Sequence, residues 1–92
     1  MTEFNEFKKK VCNFYRQNKM TYFIWVNPEW QKTSVEISFR MDNVSILFAY
    51  SLSSGYSNKT QRERKAEKMM NEISKDLKGI ENEFCDFSVI DR

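Results

Sequence analysis

Residues 34–51 read Ser-Val-Glu-Ile-Ser-Phe-Arg-Met-Asp-Asn-Val-Ser-Ile-Leu-Phe-Ala-Tyr-Ser, and their pattern decides the fold. Val35, Ile37, Phe39 and Met41 alternate with Ser34, Glu36, Ser38 and Arg40, a period of two that belongs to a strand covered on one side and wet on the other. Asp42-Asn43 interrupts the alternation. Both residue types tolerate the positive φ of a tight hairpin. The return strand over 44–51 sets Val44, Ile46, Phe48 and Tyr50 on one face and Ser45, Leu47, Ala49 and Ser51 on the other.

Working outward, Met20 to Asn27 predicts a further strand, rich in aromatic and β-branched residues and stopped by Pro28. Both of its faces are apolar, so either Phe23 and Trp25 or Tyr22, Ile24 and Val26 must point away from the core. Pro28-Glu-Trp-Gln-Lys32 reads as a loop. Residues 3–18 predict a helix, because Phe4, Phe7, Val11 and Phe14 recur at three- and four-residue spacing. Thr2 suits its start and Asn18 its left-handed exit.

Beyond the serine-rich loop around Gly55, a second helix is expected from Lys59 to Lys78. Asn58 and Gln61 form a capping-box pattern, and Gly79 is placed as a C-terminal stop. Ala66, Met69, Met70, Ile73 and Leu77 make its apolar stripe. At 84–90, Cys85, Phe87 and Val89 alternate with Asp86 and Ser88, which predicts a fourth strand. The expected fold is α+β, in the order α-β-β-β-α-β, with two helices on one face of a four-stranded, mostly antiparallel sheet. Residues 1–92 form a single domain.

Composition supports a folded chain: 40% hydrophobic and 15% aromatic residues, with two glycines and one proline. The net charge of +2 predicts no polyanionic partner by itself, although five basic residues and no acid lie from Lys8 to Lys19. A domain this small buries a modest share of its surface, and a homodimer is one ordinary way to gain stability. No signal sequence is recognisable, and the longest apolar-leaning run is too short for a bilayer, so the expected location is cytoplasmic, with no membrane partner.

Histidine is absent from the sequence, which removes His-based triads and His metal ligands. The loop at 53–57 lacks the spacing of a phosphate-binding loop. Acids are scattered singly. Cys12 and Cys85 stand apart and read as buried small hydrophobes, though basic neighbours suggest a lowered Cys12 pKa. The expectation is a non-enzymatic protein with no catalytic residue, no cofactor and no metal.

Two kinds of partner surface compete. Lys59, Arg62, Arg64, Lys65 and Lys68 cluster at the start of the second helix, where free N–H groups already favour phosphate. Lys59, Arg62 and Lys65 share one side at i, i+3, i+6, a nucleic-acid-binding candidate. This region resembles the double-stranded RNA-binding domain: Gly55, Ser57, Lys59 and Arg62 match the family's Gly-x-Ser-x-Lys-x-x-basic pattern, Ala66 falls on a small position, and the element order agrees over 3–78. The resemblance implies phosphate contacts at Lys59 and Arg62. Departures are Asn58 in place of a lysine, Gln61 and Lys65 in place of alanines, no Gly-Pro-x-His element between Asn27 and Lys32, and the strand at 84–90.

The second surface is the sheet face turned away from the helices, with Phe23, Trp25, Arg40 and Leu47, together with Trp30 in the adjoining loop. Exposed aromatic and apolar groups with a few charges suit a protein partner. This is the leading expectation: a protein-binding inhibitor or adaptor. By analogy alone, such chains are typical of accessory proteins of phages and mobile elements directed at host nucleases or defence complexes.

Overall fold

The computed structural model describes residues 3–29, 32–53 and 58–90. Its elements are α1 (Glu3–Asn18), β1 (Thr21–Pro28), β2 (Lys32–Met41), β3 (Val44–Ser53) and α2 (Lys59–Ile90). The strands form one antiparallel sheet in the order β1-β2-β3. The class is α+β, as the patterning predicts, but the order is α-β-β-β-α and the sheet has three strands.

The expected strand at 84–90 is helix, and Gly79 does not stop α2. A glycine stop works by adopting a positive φ, and Gly79 does not adopt one. The physical reason is the stripe. Ala66, Ile73, Leu77 and Ile80 are buried and Met69 and Phe84 pack against them, a 3.6-residue period that runs straight through Gly79. A mid-helix glycine costs only about 1 kcal/mol, and burying Ile80 and Phe84 outweighs it.

Local signals elsewhere do set the joints. The Asn58 side-chain oxygen accepts the Gln61 N–H at 2.9 Å, the expected cap of α2. Met41 pairs with Val44, closing a two-residue turn in which Asp42 takes φ 52°. The helix exit differs: Lys19, not Asn18, is left-handed at φ 52°. Asn18 instead donates through its side-chain amide to the Phe14 carbonyl at 3.0 Å, while the Lys19 N–H reaches the Tyr15 carbonyl at 2.8 Å. The loop expected at 28–32 is narrower, since Pro28 and Lys32 both belong to strands and the Glu29 N–H donates to the Lys32 carbonyl at 2.9 Å. Pro28 is tolerated because β1 is an edge strand. Thr2, Trp30, Gly55 and Ser57 lie outside the described residues, as does the side chain of Cys85.

Both helices cover the same sheet face. Val35, Ile37 and Phe39 of β2 are fully buried beneath Val11, Cys12 and Tyr15 of α1 and Ala66, Ile73 and Leu77 of α2. Phe39 is the centre, with the rings of Phe14 at 4.9 Å, Phe48 at 5.7 Å, Tyr15 at 6.0 Å and Tyr22 at 6.1 Å. Tyr22, Ile24 and Val26 pack against this core, which settles the open question about β1: Phe23 and Trp25 point away from it.

The helices run in the same direction, Lys8 of α1 lying beside Glu72 and Asp76 at 3.3 and 3.5 Å and Tyr15 beside Phe84 further along. Desolvation alone lowers the Lys8 ammonium, but its bonds to Glu72 and Asp76 outweigh this and hold its pKa above the ordinary lysine value. Its contribution to stability is therefore fully present at neutral pH and is lost as pH climbs through that raised value. Both carboxylates are largely solvated, so Lys8→Met is expected to cost about 1 kcal/mol at low salt. Denaturant melts of both proteins across pH and salt check this. A difference unchanged in strong salt and at alkaline pH would assign the effect to the lysine stem instead.

Candidate protein-binding face

The pairing register arranges the outward side chains as a grid. Its rows are Thr21-Arg40-Ser45, Phe23-Ser38-Leu47, Trp25-Glu36-Ala49 and Asn27-Ser34-Ser51, each read across β1, β2 and β3. Phe23 is 57% exposed, Leu47 58% and Trp25 37%. Large apolar groups are thus displayed on a hydrogen-bonded sheet, where their positions are fixed, rather than on a loop.

Polar atoms of the grid bond within it. Ser38 and Ser45 hydroxyls lie 3.4 Å apart, those of Ser34 and Ser51 3.0 Å. The Asn27 amide donates to the Glu36 carboxylate at 3.2 Å, across the β1–β2 pair, and orients it. Arg40 is exposed one row beyond Phe23. Ser34 is buried, so the open part of the face is the three rows from Thr21 to Trp25.

Four of the five residues nominated for partner binding, Phe23, Trp25, Arg40 and Leu47, therefore share one surface; Trp30 lies outside the described residues. Sequence reasoning missed Met41 and Val44, exposed at 47% and 54%. They carry the core parity of their strands, but they sit at the hairpin tip. Adjacency to the Asp42-Asn43 turn was the signal that could have found them.

The cationic cluster is divided differently. Arg62 is 3% exposed and extends the buried stripe of α2 by one turn. Lys65 is half-buried, so two of the three residues that share a side, Arg62 and Lys65, are turned toward the protein body. Lys59 is exposed and pairs with Glu63 at 3.8 Å. Arg64 and Lys68, four residues apart, face solvent.

Cys12 lines a groove between the helices with Lys8, Asp76 and Ile80. Its pKa is raised, mainly by burial and further by Asp76, against the lowering that its basic neighbours suggest. Desolvation outweighs Arg16 and Lys8, and a thiol held protonated is a poor nucleophile. Among the described residues there is no group of three metal-ligating side chains, and no helix is long and apolar enough to cross a membrane. No family model matches this chain, nor does any curated protein or solved structure.

Proposed function

We propose that the chain is a non-enzymatic binding protein of inhibitor or adaptor type, which acts through a protein–protein contact on the uncovered sheet face. The observation that carries this reading is the trio Phe23, Trp25 and Leu47, exposed on two adjacent rows of one hydrogen-bonded sheet face. Leaving such groups in water forgoes about 25 cal/mol for every Å² that could be buried. Aromatic anchors in a setting of small polar residues are also the composition of interface centres. The one acid and one base of the open rows, Glu36 and Arg40, leave it without the positive field that a phosphate backbone needs.

The test is capture from nuclease-treated extract of the native cell by immobilised protein. A specific partner is expected, with affinity reduced about tenfold or more by Phe23→Ala or Leu47→Ala, as central apolar contacts usually are, while circular dichroism stays unchanged. Capture indifferent to both substitutions would remove the face from consideration. The alternative is nucleic-acid binding through the start of α2, and it would rest on Lys59, Arg64 and Lys68. It is the weaker reading because Arg62 is inside and Lys59 is already paired. Duplex binding that falls with log[salt] by about 0.9 per phosphate contact, and that survives Phe23→Ala, would put it first.

A further inference from the structure

We infer that the occupant of the open face is a second copy of this chain, docked sheet to sheet about a twofold axis that crosses β2 at Ser38. The inference rests on the reading of this face as a protein interface and names its partner. It comes from the order of charges along the central strand: Lys32, Ser34, Glu36, Ser38 and Arg40 all carry outward parity. Alternate residues on one strand face are about 6.8 Å apart, so Glu36 and Arg40 stand about 7 Å to either side of Ser38.

A twofold axis lying in the contact plane and running across the strands at Ser38 reverses β2 onto itself. Glu36 then meets Arg40 of the second copy, and Arg40 meets its Glu36. An isologous interface makes each contact twice, so one complementary pair becomes two. The same operation lays the Phe23-Ser38-Leu47 row on its own copy, bringing the two most exposed apolar side chains of the grid to the axis. Trp25 then covers Thr21 of the second copy, and Ala49 covers its Ser45.

Other twofold arrangements fail on charge or on shape. An axis along the strands stacks Glu36 on Glu36 and Arg40 on Arg40. An axis across the strands at Glu36 again opposes the two carboxylates and sets Arg40 against Lys32. One centred at Ser34, which is buried, carries Phe23 and Leu47 off the facing sheet. Of these axes, the one at Ser38 satisfies charge and apolar area together.

The packing geometry allows it. Stacked sheets lie about 10 Å apart, with strand directions turned by about 30°. At 7 Å from the axis that turn displaces Glu36 from its partner by only about 4 Å, which an arginine side chain spans. Three strands and the three rows that overlap about this axis make a face of roughly 14 by 20 Å. This is below the size of most stable interfaces, so the expected dimer is weak, with a Kd of about 100 µM.

The experiment is sedimentation of the full chain, of Glu36→Arg, of Arg40→Glu, and of an equimolar mixture of the two variants. The wild type is expected to dimerise, and each variant alone to associate at least tenfold more weakly, because each opposes like charges twice. The mixture is expected to regain wild-type affinity as a heterodimer, which also shows that both variants fold. A wild type monomeric at about 500 µM, well above the expected Kd, overturns the inference, as does a dimer indifferent to both reversals or a mixture that stays monomeric. If the chain is monomeric yet loses a foreign partner on Phe23→Ala, the inference fails and the face keeps its function. If it is monomeric and capture ignores that substitution, both fail.

Discussion

Phe39→Ala is expected to remove about 3–5 kcal/mol of stability, Phe39 being the largest fully buried side chain among the described residues. Phe39 is fully buried on the central strand and is bracketed by rings from both helix-facing neighbours on the sheet, Tyr22 and Phe48, and from α1, Phe14 and Tyr15. Removing it deletes the apolar transfer term and also strips edge, tilted and stacked contacts from four aromatic partners at once. A void there cannot collapse easily, because β2 is held by hydrogen bonds on both sides. Domains of this size have a total stability of about 5–14 kcal/mol, so the variant is expected to melt at least 15 °C lower and to be partly unfolded at body temperature. Thermal melts followed by near-ultraviolet dichroism check this. Phe39→Leu, which keeps most of the volume, is expected to cost under half as much. A loss below about 1 kcal/mol for alanine would mean that the site repacks around the gap and that the rings do not depend on one another.

Gly79 is expected to respond in opposite directions to two substitutions. In the interior of α2, Gly79→Pro removes one backbone hydrogen bond and drives a ring into the carbonyl four residues back, at Lys75, for a cost of about 2 kcal/mol or more beyond that of the glycine. Gly79→Ala is expected to stabilise by about 1 kcal/mol, since a Cβ built there meets nothing within 4 Å and the unfolded chain loses freedom. Urea melts of the pair give both signs. If Gly79 instead ended the helix in a left-handed turn, alanine and proline would both destabilise, since neither takes a positive φ without strain. A destabilising alanine would therefore refute the long α2.

That contrast marks where sequence reading succeeded and where it could not reach. The β2–β3 hairpin was legible because its alternation, its turn residues and its strand lengths agree with one another, and nothing in the tertiary fold opposes them. The cap at Asn58 was legible for the same reason. At 84–90 two periods overlap: Cys85, Phe87 and Val89 repeat every two residues, while Leu77, Ile80 and Phe84 continue the helical stripe. Only the presence of Tyr15, which accepts Phe84, decides between them. The outward set of β1 could not be read from β1, because both of its faces are apolar and the choice belongs to the helices covering it. Arg62 misled in the opposite sense, as a charged residue that the helix phase turns inward. Arg40 and Leu47 could be placed on the outward face because parity is a property of β2 and β3 themselves, whereas Phe23 and Trp25 were one of two options for β1. The hairpin tip was missed because exposure there depends on where the helices run out.

The antiparallel meander bears on how the chain acquires its shape. All three strands come from one uninterrupted run, Thr21–Ser53, joined by a two-residue turn and a short reversal. Loop closure within that run is cheap, and local pairings of this kind form early. The two helices flank the run at opposite ends and meet side by side on its covered face, through Lys8 with Glu72 and Asp76 and through Tyr15 with Phe84. Substitutions along the α1–α2 seam should therefore hasten unfolding with little effect on the refolding rate, whereas those in the hairpin should slow refolding itself.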